Sequence, residues 1–326
     1  ALSYGKEYLA IMIFGLLPFA VSQTYVSTIR ETGQTFVPMV SGIVAVITNL
    51  VLDYVLIFGA FGAPELGVAG AAIAIARYAE CLIVVVWAHR HLYKNPYLIG
   101  VYKGLRIPGS ILADIFRKGL PLMFNEMLWA VGMAVIVQCY AVRGLEVVAA
   151  QNISSTISNL FNIVYLQLGN CISIVVGQKL GAGQLEEAKD ADNKIIFFDV
   201  ACCACISVIM ILLGGLFPEI YKTEPGIKAL AKNFIIISAM AMPLCAFSHC
   251  SYFTLRSGGK TIVTFLFDSV YTWVVMIAYA FVLSRFTTLS ITMVFFLVSF
   301  TEIIKVIIGF FMIKSNVWLQ NIVNSY

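Results

Sequence analysis

Charge is what this chain has little of. Only 12% of its 326 residues are Asp, Glu, Lys or Arg, about half of the roughly 25% that soluble domains carry. A soluble fold must cover its surface with polar groups, and a chain that is 60% hydrophobic with a mean hydropathy of +0.92 has too few. Lipid removes the shortage, because in lipid the backbone satisfies its own hydrogen bonds inside helices. A strong positive balance is missing too. The net charge of +4 is small and scattered, with no basic stripe interleaved with aromatics, so nucleic acid is excluded as a partner. The eight cysteines lie mostly inside apolar runs, as at Cys202, Cys203 and Cys205. They lack the paired spacing of a metal site or a disulfide scaffold, and read as small buried hydrophobes. There is no nucleophile elbow, metal-ligand cluster or phosphate loop. An enzyme is therefore not expected, and neither is a cofactor. The chain also shows no initiator Met, basic n-region or cleavage site. It begins at Ala1 just ahead of an apolar segment, as a fragment does.

What the chain does have is long apolar runs. Crossing a hydrocarbon core takes about 20 apolar residues in a helix. Runs of that kind fall near 8–28, 37–58, 68–89, 111–139, 147–177, 194–216, 229–253, 262–283 and 289–313, which predicts an all-α integral membrane protein with nine spans. Thirteen Lys and Arg residues, among them Arg30, Arg90, Lys179, Arg256 and Lys314, fall in one alternating set of loops; six, including Lys6, Arg143 and Arg285, fall in the other. The richer set is expected to be cytoplasmic. An odd number of spans then puts Ala1 outside and Tyr326 inside.

An internal repeat is visible. The first span ends in Arg30-Glu-Thr-Gly33-Gln-Thr35 and the seventh in Arg256-Ser-Gly-Gly259-Lys-Thr261, both reading Arg-x-x-Gly-x-Thr. Each follows a span with Pro in its first half, Pro18 or Pro243, and each precedes two more spans. The third span of each set carries charges three residues apart, Arg77 with Glu80 and Glu302 with Lys305. Halves in the same orientation are a transporter architecture with the substrate path between them, and they argue against a ring-forming channel. Three spans precede the motif in the second half and none in the first. The repeat therefore predicts a twelve-helix protein of two six-helix lobes, lacking here about its first three helices. On that reading residues 1–90 are a partial first lobe, 91–110 a cytoplasmic linker and 111–326 the second lobe.

Read together, several stretches resemble the multidrug and toxic compound extrusion (MATE) family. They are Arg30-x-x-Gly-x-Thr, Asn49-x-x-x-Asp53 and Pro64-x-Leu-Gly67-Val-Ala-Gly70-Ala-Ala in the first half. In the second half they are Gly119-Leu-Pro121, Val148-Ala-Ala150 and Gly177-Gln-x-Leu-Gly181-Ala-Gly183 with Glu187-Ala188. The resemblance implies a two-lobe antiporter of the cell membrane, most often a monomer. Such proteins expel drugs and other small organic cations in exchange for inward H⁺ or Na⁺. The alternative from the same superfamily is a lipid-linked oligosaccharide or polysaccharide flippase, which would need basic residues in its cavity.

Acids inside spans are costly and by default functional. Asp53 lies about two-thirds along its span from the cytoplasmic end, with Asn49 one turn earlier on the same face. A carboxylate beside an amide suits Na⁺, or a proton once desolvation favours the neutral acid. The other reading is a helix-end acid in the headgroup zone, near Tyr54 and Phe58. The family resemblance implies that Asn49 and Asp53 form its first-lobe cation site. Where some members carry an Asp on the tenth helix, this chain has Cys245 or its neighbours.

Glu126, within Asn125-Glu126-Met-Leu-Trp129, sits mid-span, and its i, i+3 relation to Trp129 lets both face one cavity. An anion beside an indole face suits a flat organic cation, and Met123, Met127 and Met133 would make an adaptable wall. The competing reading is a Glu neutralised by a neighbouring helix. Gln151, Asn152, Ser155, Asn159 and Asn162 form one polar stripe, continued by Gln167 and Asn170, which either lines an aqueous cavity or joins helices. Arg77 with Glu80, and Glu302 with Lys305, read as structural pairs within one helix. Asp199 and Asp268 are expected near span ends, in reach of water. His249 is expected in a hydrogen-bonded packing role.

Overall fold

The computed structural model describes residues 2–62, 73–101 and 108–320. Among these, nine long helices account for the nine apolar runs. They are α1 (Leu2–Glu31), α2 (Phe36–Phe58), α3 (Ile73–Arg90), α4 (Gly109–Ala141), α5 (Leu145–Gly181), α6 (Leu185–Leu213) and α7 (Pro225–Ser257), then α8 (Thr261–Phe286) and α9 (Ile291–Lys314). All but α3 are long and apolar enough to cross a membrane. The start of the 68–89 run and the Pro64 to Ala72 motif lie outside the described residues, as do residues 102–107 of the expected linker. Helix α6 begins at Leu185, nine residues before the apolar run. Its first turns carry Glu186, Glu187, Lys189 and Asp190, so hydropathy marks the part of a helix that suits lipid and not the helix itself.

The Arg-x-x-Gly-x-Thr repeat is a helix terminator. Gly33 N–H donates to Arg30 O at 2.9 Å and Gln34 N–H to Ile29 O at 3.1 Å; Gly259 N–H donates to Arg256 O at 2.9 Å and Lys260 N–H to Leu255 O at 3.2 Å. This pattern needs a left-handed residue, which glycine adopts without strain: φ is +82° at Gly33 and +72° at Gly259. Helix α5 ends in the same way, with Gly183 at φ +77° and Gln184 N–H donating to Lys179 O at 2.9 Å.

The chain parts into two compact units, Ala1–Ile107 and Pro108–Tyr326. In the first, α3 packs on α1 and α2, around Val26, Ile29, Val84 and Ala88 with Trp87 and Leu98 alongside. The chain after α3 folds back onto this unit. Buried Asn95 donates to Ala88 O at 3.3 Å and accepts from Tyr97 Oη at 3.0 Å. Arg77 pairs with Glu80 at 2.9 Å, as expected from their spacing, and its guanidinium also covers the Phe19 ring at 4.7 Å.

In the second unit α7 is the hub, touching α5, α6, α8 and α9, and it is the most buried of the membrane-length helices. Small residues let its neighbours come close. A Cβ at Gly169 of α5 would lie 2.8 Å from the Phe253 ring and 2.9 Å from the His249 ring of α7, and one at Gly309 of α9 would lie 2.8 Å from Ser251 Oγ. Aromatics fill the far end, where Phe234 stacks on Phe295 at 4.4 Å. Arg143, just past α4, donates to Leu283 O, Ser284 O and Thr287 O at 3.0, 2.6 and 2.5 Å, supplying donors to the carbonyls left open where α8 ends.

Two helices of this unit are irregular, and the irregularity sits where charge is buried. Residues Leu266–Val270 and Thr272–Ile277 of α8 are wound as π-helix, a form common at functional sites. Helix α9 breaks at Thr301, whose carbonyl accepts a hydrogen bond from Tyr271 Oη. Between them Lys305 Nζ lies 2.6 Å from Asp268 Oδ1 and 3.9 Å from Glu302 Oε1, with its ammonium over the Phe267 ring at 5.3 Å. The expected Glu302–Lys305 pair within one helix is present, and Lys305 also bonds across to α8. One expectation is corrected: Asp268 is largely buried, seven positions into α8 and about 10 Å from its start at 1.5 Å per residue. Apolar patterning marks where a span begins, but it does not show which charges neutralise each other inside it.

Removing the ammonium leaves a buried carboxylate uncompensated. Lys305→Met is therefore expected to cost about 3 to 5 kcal/mol of stability, read as a fall in melting temperature in detergent, and adding Asp268→Asn should recover most of the loss. Equal melting of the single and double variants would contradict this. Gly169→Val should cost about 1 to 3 kcal/mol in the same measurement, because nothing between α5 and α7 can yield cheaply.

Candidate functional site

Asn49 and Asp53 lie one turn apart on α2, both half-buried, and the Asn49 amide nitrogen, a donor, is buried without a hydrogen-bond partner. Any cation at the pair would be met by the Asp53 carboxylate and the amide oxygen of Asn49 and not by that nitrogen. Among the described residues no three His, Cys, Asp or Glu side chains come together as a metal cage. An ion held at this pair would draw its remaining ligands from amides, hydroxyls and backbone carbonyls.

In the second unit, Asn125 and Glu126 are consecutive residues on α4 that point different ways. Asn125 is buried and Glu126 is exposed. Asn125 Nδ2 donates to Asp268 Oδ2 at 3.1 Å and to Tyr252 Oη at 3.3 Å, while Ser269 Oγ donates to Asn125 Oδ1 at 2.7 Å. Tyr252 Oη in turn donates to Glu126 Oε1 at 3.2 Å, and Arg256 Nη1 stands 4.0 Å from the same oxygen. A continuous polar chain thus runs from part-buried Lys305 through Asp268, Asn125 and Tyr252 to Glu126 and Arg256. It crosses α9, α8, α4 and α7. Asn125 is accordingly part of the framework behind the exposed face, and not of that face itself.

Despite these contacts 62% of the Glu126 side chain remains exposed, so the acid keeps lone pairs for an outside cation. Trp129, Met123, Met127 and Met133 are exposed on the same helix. On α5, Asn152, Asn159 and Gln167 of the expected stripe are exposed, whereas Ser155, Asn162 and Asn170 are half-buried. Gln151 is half-buried, and its Oε1 has no partner.

Sequence reasoning missed Tyr252, Asp268, Lys305 and Arg256 as parts of this assembly. The available signal was that Asp268 lies inside an apolar run with no basic partner on its own helix. Two further expectations are corrected. Asp199 is fully buried and accepts from Cys203 Sγ at 3.4 Å and Cys250 Sγ at 2.9 Å, so it does not reach water. His249 is held through ring contacts with Tyr165 and Phe253, at 5.4 and 5.1 Å.

Comparison with known proteins places this architecture. The probable multidrug resistance protein NorM of Thermotoga maritima is 24% identical over 294 residues, covering 89% of this chain and 62% of that protein. The chain thus spans less than two-thirds of that relative's length. A solved outward-facing multidrug resistance MATE family transporter of the MOP superfamily superposes with a TM-score of 0.84 at 18% identity, over 95% of this chain and 69% of that one. A MOP superfamily transporter from Pyrococcus furiosus, described as having a binding pocket of reverse polarity that suggests a different function, superposes with a TM-score of 0.85 at 18% identity, with the same coverage. These neighbours share a twelve-helix, two-lobe fold. The family model MatE matches residues 1–55 and 121–282, most of the chain, and this multi-pass membrane protein belongs to the MATE family.

Proposed function

We propose that the chain is the larger part of a secondary active multidrug efflux transporter of the cell membrane, exporting small organic cations in exchange for H⁺ or Na⁺ by alternating access. The observation that carries this reading is the exposed carboxylate of Glu126 on a helix face that also presents an indole and three thioethers. Anion and ring together attract a flat cation, and methionines repack around different shapes. Residues 1–90 form part of the first lobe and 111–326 the second, with 91–110 joining them on the cytoplasmic side. Asn49 and Asp53 bind the coupling ion: ion entry at Asp53 favours the form that has released its drug. The transporter acts as a monomer surrounded by membrane lipid, with Tyr326 in the cytoplasm.

The flippase reading draws support from Arg256, a basic group beside Glu126, and from the likeness to the Pyrococcus furiosus transporter of reversed pocket polarity. Against it, Lys305 is already neutralised by Asp268, and Arg256 is drawn toward a carboxylate. Neither is left as a free cation for a pyrophosphate.

Transport is measured on the complete gene product in membrane vesicles. Asp53→Asn should abolish ion-driven efflux of ethidium-like cations, because an amide neither carries a proton nor supplies the charge that holds Na⁺. Normal coupled efflux by this variant would refute the role. Glu126→Gln should raise the KM for cationic substrates about fivefold, as expected for loss of roughly 1 kcal/mol at a solvent-exposed charge, while ion dependence stays as in the parent. An unchanged KM for cations, or a gain of transport for anionic lipid-linked sugars, would favour the flippase instead.

A further inference from the structure

One end of the second unit carries a cavity outside the proposed transport path. Its volume is about 500 Å³, and it lies between α6 and α9, floored by Trp318. That floor is a built feature. After α9 the chain turns through Asn316, a left-handed residue at φ +55°. It then returns, so that Trp318 is fully buried, with its indole N–H donating to Ile313 O at 3.2 Å. Gln320 Nε2 donates to Gly258 O at 2.6 Å. Glycine is required opposite the returning chain, since a Cβ at 258 would lie 2.3 Å from the Trp318 carbonyl oxygen.

The walls change character with depth. On α6, Lys189, Asn193 and Phe197 follow one another at four-residue steps on one face, running from the helix start toward its middle. On α9, Lys314 stands at the helix end and Phe310 one turn further in. Cations and amides therefore ring the mouth, and aromatic and aliphatic groups line the interior. At 1.5 Å per residue the step from Lys189 to Phe197 is about 12 Å, the distance from a headgroup to the upper acyl chain. Neither lysine is held by an acid among the described residues, and Lys314 rests its ammonium over the Phe310 ring at 5.9 Å. Their neighbours Lys179 and Lys194, by contrast, are paired with Glu187 at 2.7 Å and Asp190 at 2.6 Å. Phe197 and Phe310 are exposed, as surfaces that meet lipid are.

We infer that this cavity is a binding site for an anionic membrane phospholipid, with its phosphate between Lys189 and Lys314 and the upper part of one chain against Phe197 and Phe310. Basic pockets between membrane helices hold acidic headgroups through such pairs. The lipid fastens α6 and α9 to each other at the end of the unit where Trp318 closes the bundle.

The test uses purified, delipidated protein titrated with phosphatidylglycerol or phosphatidylcholine, with retained lipid counted by native mass spectrometry. The parent should hold one phosphatidylglycerol in preference to phosphatidylcholine. Lys189→Gln and Lys314→Gln should each weaken phosphatidylglycerol about fivefold, and together about 25-fold, with phosphatidylcholine unchanged. Phe197→Gln should weaken both lipids. Equal binding of the two lipids by the parent, or undiminished phosphatidylglycerol binding by the double lysine variant, overturns the inference. So does displacement of the lipid by inorganic phosphate alone, which would make this a free-anion site.

Discussion

The second unit depends on a single problem, how to keep a lysine in the apolar interior. Only 12% of its side chain is exposed, and an ammonium left unpaired there is costly. Lys305 is therefore clasped by Asp268 at 2.6 Å, and Asp268 is in turn clasped by Asn125 at 3.1 Å. Three helices are thereby fixed in register. The cost appears in the backbone. Helix α8 widens into π turns around Asp268, and α9 breaks at Thr301. The Thr301 carbonyl accepts from Ile304 N–H at 2.9 Å and from Tyr271 Oη as well, so the backbone there remains satisfied.

The same clasp reaches the surface. Asn125 and Tyr252 connect the buried pair to Glu126 by hydrogen bonds, and Arg256 approaches from the end of α7. The existing partners of the Glu126 carboxylate thus belong to the elements that hold the bundle together. On the proposed function, substrate charge and helix packing would share this one network.

Much of this was legible in the chain. The nine runs are helices because a stretch that long and apolar has no other way to satisfy its backbone in lipid. The Arg-x-x-Gly-x-Thr repeat is real, but its physical content is a left-handed helix terminator, and α5 ends on the same geometry without the full motif. What did not follow was partnership. Arg77 and Glu80 pair as their spacing suggested, whereas Lys305, three residues from Glu302, sits 3.9 Å from it and chooses Asp268 thirty-seven positions away. Likewise, Asn125 and Glu126 are neighbours in sequence, yet adjacent helical residues differ by about 100° in direction and only Glu126 is exposed.

Composition and hydropathy by themselves determined the solvent, the helical class and the apolar runs, because each of these is decided by local chemistry: apolar length, and at some helix ends a glycine that tolerates positive φ. Tertiary structure alone decided which buried charges meet, which face of α4 looks outward, and that the returning chain at Trp318 floors a cavity with two unpaired lysines at its mouth. Those outcomes depend on contacts between residues tens to more than a hundred positions apart. Periodicity along one helix contains no term for how that helix is rotated against its neighbours.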